Sequence, residues 1–298
     1  MGFARLTVVV LAALVLAMLG IWGPNGEVFT DPPLRGEHRT PASRADAGSS
    51  PGQDLPRAER ARTGRAIVEL RRVVSAGPGE VRHTEVMLGD SVLGRPIRAR
   101  AFNGLGRKPL VLVVGCIHGD ECAAAPVVWT IGGCPPGGDG LIVVPTLNPD
   151  GRATRDRANA RGVDLNRNFA SDWRPSGEAG DPEHPGPEPF SEPETLVARM
   201  LIEGLRPDLT IWFHQQADPM VRAWGPSVPA ARRYARLAGM PFRRMRWLPG
   251  TAPRWQNTHH PGTSSFVVEL SVEARDRDIA GHVSAIRELA RSIDRGAA

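Results

Sequence analysis

Lysine and tyrosine are almost absent from this 298-residue chain, which contains one of each, Lys108 and Tyr234. The other basic residues are arginines or histidines, and the arginines are scattered along the chain. Proteins that bind nucleic acid concentrate basic residues on one face, often among aromatic residues. The net charge of +5 therefore does not indicate a nucleic-acid partner, and we expect none.

Cysteine is also scarce, with three residues, Cys116, Cys122 and Cys134. No C-x-x-C pair occurs, so a cysteine-based zinc cluster is not supported. Cys116 and Cys122 flank a short turn and could meet across it. The pair is either a disulfide, which suits an oxidising compartment, or two small buried thiols.

Charge is missing from residues 6–22, LTVVVLAALVLAMLGIW, which follow Arg5. Such a run at the amino terminus is typical of a secretory signal or a short membrane anchor. Residues 23–34 contain no Lys or Arg, so the positive-inside rule places the rest of the protein outside the cytoplasm. We therefore expect an extracytoplasmic protein, either secreted or tethered to the membrane through residues 6–22.

Residues 23–80 are rich in Pro, Gly and Arg and predict a linker. Within it, residues 58–74 predict a basic helix whose arginines either face solvent or contact an anionic membrane surface. The remainder, residues 81–298, is long enough for one catalytic domain with a substantial core.

The rest of the chain is organised around residues 110–121, LVLVVGCIHGDE. Leu110–Val114 is an apolar, β-branched run that predicts a buried strand, and residues 122–130 predict a helix. His118 and Glu121 lie in the turn between them, where ligands bind in open α/β sheets. Imidazole and carboxylate are both good zinc ligands, and a catalytic zinc site needs a third ligand from the protein.

His214 meets the requirement for a third ligand because it ends the apolar run at residues 209–213. Glu269 is the one charged residue in SFVVEL, residues 265–270, which also predict a buried strand. A carboxylate there is costly to bury unless it is paired or protonated. Glu269 is therefore either a general base for water activation or a surface-facing residue of an alternating strand.

Strands and helices alternate along the chain, which predicts a mostly parallel or mixed sheet covered on both faces. Residues 81–102 predict an antiparallel hairpin, and residues 148–151, NPDG, predict a turn. The remaining elements are a strand at 141–145 and helices at 192–205, 230–238 and 276–295.

A polar segment after the strand at 141–145 contains Arg157, Asn166 and Arg167. A guanidinium can bind a carboxylate through two hydrogen bonds, or stabilise an oxyanion. The segment is therefore either part of the site or an ordinary solvated loop.

Five blocks in order closely resemble the zinc carboxypeptidases, and within them the bacterial branch of murein peptide amidases and γ-D-glutamyl-diaminopimelate peptidases. The blocks are HGDE at 118–121, NPDG at 148–151, RANARGVDLNRNF at 157–169, FH at 213–214 and VEL at 268–270. The resemblance covers residues 81–298. It implies a three-layer α/β/α fold with a mixed, mostly parallel sheet in a single catalytic domain.

The resemblance also implies a role for each matched residue. His118, Glu121 and His214 would bind one Zn²⁺ ion, and Glu269 would be the general base and later the acid. Arg157 would polarise the scissile carbonyl and stabilise the oxyanion. The remaining pair, Asn166 and Arg167, would hold the free C-terminal carboxylate of a peptide substrate. The implied activity is removal of a C-terminal residue, from cell-wall peptides or other extracytoplasmic peptides.

One departure from the family concerns a mobile tyrosine that closes over the substrate in the larger digestive enzymes. Tyr234 lies thirty-five residues before Glu269, too early for that role. Arg254 lies where such enzymes often place the side chain that selects the terminal residue, so we predict a preference for acidic termini. Two alternatives remain. One is a zinc N-acyl amino acid deacylase of the succinylglutamate desuccinylase/aspartoacylase type, and the other is a non-catalytic binding protein on the same fold.

Overall fold

A computed structural model describes residues 55–76, 83–102, 107–122, 127–128, 130, 139–271 and 276–294. All of these residues belong to one compact unit, Gln53–Ala298. The apolar run at 6–22, the linker up to residue 54, Cys134 and most of the predicted helix at 122–130 lie outside the described residues. Within the described part, no helix is long and apolar enough to cross a membrane.

The first helix, α1 (Arg57–Val74), packs on the sheet, although we expected it to lie in a linker. The apolar side chains of Ile67, Leu70 and Val74 recur on one face and are buried, and Arg62 pairs with Asp90 at 2.6 Å. Most of its arginines are exposed on the other face, as both interpretations of the basic helix require. Burial of this apolar stripe is what joins the helix to the compact unit.

Eight strands of the described part of the chain form one mixed sheet in the order β1-β2-β4-β3-β5-β8-β6-β7. Four of the seven neighbouring pairs are parallel, including the central run β4-β3-β5-β8, which confirms the predicted α/β sheet. The strands are β1 (His83–Asp90), β2 (Pro96–Phe102), β3 (Arg107–Val114), β4 (Asp139–Val144), β5 (Leu209–Gln215), β6 (Met220–Ala223), β7 (Phe242–Arg244) and β8 (Ser264–Leu270).

Helices cover both faces of the sheet, as consecutive residues of β5 illustrate. Trp212 lies beside Val197 and Leu201 of the helix Pro193–Leu205, whereas Phe213 contacts His282 of the helix Asp276–Asp294 on the opposite face. Side chains alternate between the two faces of a strand, so the sheet is the middle of three layers. The helices after α1 are α2 (Pro149–Thr154), α3 (Pro193–Leu205), α4 (Val228–Ala238), α5 (Ala252–His259) and α6 (Asp276–Asp294).

Tyr234, the single tyrosine, is fully buried in this core. Its hydroxyl group is 2.7 Å from Nδ1 of His282, and its ring contacts Phe266. Burial raises the pKa of its hydroxyl group well above the usual value. The structure thus places Tyr234 in the interior.

The predicted turn at NPDG is wrong in detail, because Pro149 begins α2 instead. Asn148 caps this short helix by accepting a hydrogen bond from the backbone N–H of Gly151 at 2.8 Å. Strands β6 and β7 and helix α5 were not predicted. Each is short, with three to eight residues, and none carries a clear apolar period.

Candidate metal centre

His118, Glu121 and His214 converge at the carboxyl ends of β3 and β5. One ligand atom from each lies within 4.8 Å of the others. Nδ1 of His118 is 3.0 Å from Oε1 of Glu121, and Nδ1 of His214 is 2.9 Å from Oε2 of the same carboxylate. These strands are parallel neighbours, so their ends meet at one edge of the sheet. The structure therefore brings the three predicted ligands together.

The donor set fits a zinc ion. Nδ1 of His118 is buried and faces Oε1 of Glu121 at 3.0 Å, but among the described residues it makes no hydrogen bond of normal geometry. The other ring nitrogen, Nε2, is 3.0 Å from Oδ1 of Asp164. Histidines that bind metals usually donate the second ring N–H to a carboxylate in this way. Two imidazoles and one carboxylate, with one orphaned nitrogen, match the three protein ligands of a catalytic zinc site.

Tight backbone packing positions the turn that carries the first two ligands. A Cβ atom on Gly119 would lie 1.9 Å from the carbonyl carbon of Gly151, so only glycine fits. Cys116 and Cys122 form a disulfide that closes the same turn. The sequence left open a disulfide or two buried thiols, and the structure has the disulfide. The loop that this disulfide closes contains both His118 and Glu121.

Charges around the ligands oppose the cost of burying them. Burial disfavours the ionised form of Glu121, but His118 and His214 outweigh it and hold the pKa of the carboxyl group far below its usual range. Burial also opposes ionisation of Asp164, yet His118 and Arg157 keep its pKa low. In His118, burial lowers the pKa, but Asp164 and Glu121 together more than offset this, so the net pKa is raised.

Arg157 lies beside the ligands, in the loop between α2 and α3. Its Nη1 donates to Oε1 of Glu121 at 2.8 Å, and its Nε and Nη2 donate to Oδ2 of Asp164 at 3.1 and 2.9 Å. These acids raise the pKa of the guanidinium despite its partial burial. A fixed cation at the ligand cluster is placed where negative charge could be stabilised.

Asn166 and Arg167 follow in a short 3₁₀ turn, Leu165–Arg167. Nδ2 of Asn166 is 3.5 Å from Nε2 of His214, and Oδ1 accepts from the backbone N–H of Ala252 at 3.0 Å. Arg167 donates to the carbonyl oxygen of Asn166 at 2.9 Å and to the exposed Glu183 at 2.6 Å. Asn166 therefore borders the ligand cluster, and Nη1 of Arg167 lies 4.0 Å from Oδ2 of Asp164.

Glu269 is 4% exposed and lies on β8, where its Cα is paired with that of His214 on β5. The surface-facing alternative for this residue is therefore wrong. Its Oε1 accepts a hydrogen bond from Nη1 of Arg222 at 2.9 Å. A buried, charge-paired carboxylate thus stands one strand away from a predicted metal ligand.

Comparison with known proteins agrees with this geometry. Residues 140–274 match the profile described as zinc carboxypeptidase, a segment that includes His214 and Glu269. Over this segment the chain is similar to the zinc carboxypeptidases.

Murein peptide amidase A of Escherichia coli (strain K12) is 34% identical to this chain over 145 residues. That match covers 44% of this chain and 58% of the amidase. The chain thus matches a little over half the length of this curated relative. Carboxypeptidase A2 of Rattus norvegicus is 29% identical over 156 residues, which is 42% of this chain and 37% of the relative.

Two solved structures resemble this chain over most of its length. The murein-tripeptide amidase from Escherichia coli O157 has a TM-score of 0.57 and 25% identity, and the match covers 80% of this chain and 96% of the amidase. Carboxypeptidase A from Helicoverpa armigera has a TM-score of 0.63 at 19% identity, with 78% of this chain and 72% of that chain covered. The insect enzyme supports the fold alone.

Arg254 lies on α5. Its guanidinium pairs with Asp172 and donates to the carbonyl oxygen of Trp247 at 3.0 Å. It also lines a cavity of about 310 Å³ together with Trp224 and Trp247. Among the described residues it makes no contact with the predicted metal ligands, and its predicted role in selectivity stays a prediction.

Sequence reasoning missed two residues of the site. Asp164 orients His118 and lies two positions before Asn166 in the GVDLNRNF block, so its position in the motif could have identified it. Arg222 contacts Glu269 only because β6 runs antiparallel to β8. No local sequence signal announces that pairing.

Proposed function

We propose that this protein is a zinc-dependent metallocarboxypeptidase that hydrolyses the C-terminal peptide bond of its substrate. One observation carries the proposal. His118, Glu121 and His214 converge at adjacent strand ends, with the buried Glu269 on the next strand of the same sheet. Three zinc-type ligands beside a carboxylate form the arrangement that metal-assisted hydrolysis of an amide requires.

Glu269 is the group that moves protons in this proposal. As general base it accepts a proton from the attacking water, and as general acid it returns that proton to the departing amine. Its burial fixes the carboxylate, and its place beside His214 keeps it near the ligand cluster. When bound, a zinc ion would supply Lewis acidity and lower the pKa of a water molecule.

Arg157 stabilises the negative charge that develops on the scissile carbonyl oxygen. Its hydrogen bonds to Glu121 and Asp164 hold the guanidinium in one orientation, so it does not have to reorganise during the reaction. Donors held in place before the reaction contribute most of this kind of stabilisation.

Asn166 and Arg167 bind the terminal carboxylate of the substrate. Arg167 holds the carboxylate of Glu183 in the free chain, and that partner is 65% exposed, so a substrate carboxylate can compete for the same donors. Binding the chain end next to the ligand cluster determines which peptide bond reaches it. The proposed enzyme is therefore an exopeptidase.

Murein peptides are the substrate class that we propose, with other extracytoplasmic peptides as the broader class. Two relatives named murein peptide amidase and murein-tripeptide amidase support the choice. The charge-free run at residues 6–22 supports a site of action outside the cytoplasm. It lies outside the described residues, so this part of the proposal depends on the sequence.

Incubation of the zinc-loaded full chain with murein tripeptide, L-Ala-γ-D-Glu-diaminopimelate, tests the proposal. A mixture of α-linked peptides with different free C-termini serves as the second substrate, and mass spectrometry identifies the products. Release of diaminopimelate alone would make the protein a murein peptide amidase, and loss of single residues from the α-linked peptides would make it a general carboxypeptidase.

Glu269→Gln is the variant that separates catalysis from binding. We expect it to bind zinc as the wild type does and to lose about 10²- to 10⁴-fold in kcat, the range for loss of a general base. Glu203→Gln, an exposed residue of α3, is the matched control and should keep full activity. If neither substrate class is cleaved although zinc binds in a one-to-one ratio, the proposed function is wrong.

A further inference from the structure

Arg222 is a cation next to the proposed general base. It lies on β6, which pairs antiparallel with β8, so that Met220 is opposite Glu269 and Arg222 is opposite Val267. This register places Arg222 and Glu269 on the same face of the sheet. Nη1 of Arg222 donates to Oε1 of Glu269 at 2.9 Å, and the arginine side chain is 20% exposed.

Only part of the guanidinium is used by this contact. A guanidinium has five N–H donors. Nε of Arg222 is buried and has no hydrogen-bond partner among the described residues. An unsatisfied buried donor is costly, and a ligand acceptor would relieve that cost. Arg222 can therefore keep Glu269 in place and still bind a second anionic group through its remaining donors.

The surroundings of Arg222 favour a negatively charged ligand. Residues 219–268, which connect the region after His214 to Glu269, contain eight arginines and no Asp or Glu. The chain as a whole is nearly balanced, with 37 basic and 32 acidic residues. The segment that carries Arg222 is therefore rich in positive charge, and a region of one charge sign attracts ligands of the opposite sign.

Arg254, which the sequence favours as the selective residue, is already engaged. Asp172 and the carbonyl oxygen of Trp247 occupy its guanidinium. Among the described residues, the acidic partner of Arg222 is Glu269 itself, the residue that would act on the scissile bond. Of the two arginines, Arg222 is thus the one that lies at the reaction centre.

We infer that Arg222 binds a carboxylate in the side chain of the substrate's terminal residue and makes the enzyme selective for peptides that end in an acidic or other carboxylate-bearing residue. The inference rests on the proposed function and specifies its substrate class. Arg222 is therefore a specificity-determining residue. It is distinct from Asn166 and Arg167, which bind the terminal carboxylate.

Two peptides that differ only in a terminal Glu or Gln test the inference on the zinc-loaded full chain. The wild type should prefer Glu in kcat/KM. In Arg222→Gln that preference should fall about 10- to 100-fold, the range for a lost hydrogen bond to a charged group, with the loss in KM for the Glu peptide. Arg222→Lys should give an intermediate preference, because it keeps the charge and loses the planar fork.

Control variants separate the inference from a structural role. If Arg222 only supported Glu269, Arg222→Gln would slow both peptides equally and leave their ratio unchanged, which would overturn the inference. Arg236→Gln removes an exposed arginine of α4 and should leave the ratio at its wild-type value. Arg254→Gln should also keep the wild-type ratio of kcat/KM for the two peptides. If that ratio fell in Arg254→Gln and not in Arg222→Gln, the selectivity would belong to Arg254.

Calorimetric binding of the same two peptides to the metal-free chain gives a second readout that needs no turnover. Tighter binding of the Glu peptide by the wild type and not by Arg222→Gln supports the inference even if neither peptide is cleaved, in which case only the proposed function fails. Equal binding of both peptides by the wild type would contradict the inference directly.

Discussion

His118 points Nε2 at Asp164, 3.0 Å from Oδ1, and thereby presents Nδ1 to Glu121. One carboxylate therefore selects both the orientation of the imidazole and the nitrogen that is left for a metal. Asp164 is completely buried, and Arg157 holds its second oxygen, so the imidazole has little freedom to rotate.

Asp164→Asn should lower zinc affinity by about 10- to 100-fold, because the amide is a weaker acceptor and no longer fixes the imidazole as firmly. Competition with a chromophoric chelator measures the affinity. Asp156→Asn, at an exposed position of the same loop, is the matched control and should bind zinc normally. Wild-type affinity in Asp164→Asn would show that the contact does not orient the ligand.

Loss of the Cys116–Cys122 disulfide should weaken both the fold and the metal site. The bond closes a turn of seven residues, so its loss should lower the free energy of unfolding by roughly 2 kcal/mol. Thermal unfolding of the wild type and of the Cys116→Ser/Cys122→Ser variant, each with and without a phosphine reductant, checks this. The reductant should destabilise only the wild type, and an equal effect on both proteins would attribute it to another cause.

Gly250→Ala should disturb the proposed carboxylate site. Gly250 has a φ of 69°, and a Cβ atom would lie 1.9 Å from the carbonyl oxygen of Arg167, so the arginine must move. We expect up to about a hundredfold loss in kcat/KM, as for misplaced groups that position a substrate. Gly239→Ala has a similar φ of 66° and open space around it. Gly239→Ala should lower the free energy of unfolding by about 1 to 3 kcal/mol and leave kcat/KM unchanged. An equal loss of kcat/KM in both variants would show that Gly250 does not act through Arg167.

Glu194 should make stability depend on pH. Burial raises the pKa of its carboxyl group from 4.5 to about 7, with its own and the Val92 backbone N–H groups among the influences that oppose the shift. A raised pKa means that the folded state binds the proton more tightly than the unfolded state does. The contribution of protonated Glu194 to the free energy of unfolding is therefore complete below pH 4.5 and is lost as the pH rises to about 7. The loss should amount to roughly 3 kcal/mol.

Glu194→Gln should remove that dependence, because the amide does not titrate. Denaturant unfolding at pH 5 and pH 8 measures it, and the wild type should lose more stability over this interval than the variant does. Glu203→Gln, on the exposed side of the same helix, should behave like the wild type. Parallel pH profiles for wild type and Glu194→Gln would assign the dependence to other groups.

The sequence sufficed to locate the residues that stand at strand ends. His118, His214 and Glu269 each follow or interrupt a buried apolar run, and the carboxyl ends of parallel strands meet at one edge of a sheet. The convergence of the first two with Glu121 follows from the order of β3 and β5 in the sheet.

The residues that escaped prediction depend on contacts between distant segments. Arg222 reaches Glu269 through the register of a four-residue strand, and α1 joins the core through packing on β1 and α3. Neither contact can be predicted from a local apolar periodicity or from a sequence motif. The three-residue strand β7 is likewise too short to be recognised from alternation.

The ligands of the metal centre are far apart along the chain, since 93 residues separate Glu121 from His214. A ribosome that has not yet synthesised β5 has produced two of the three ligands, held in a turn that cannot enclose an ion by itself. Metal uptake in this protein should therefore report that β5 has docked beside β3, and it should come late in folding. A nascent chain released before residue 214 would bind metal only weakly, which makes metal retention a means to distinguish finished molecules from truncated ones.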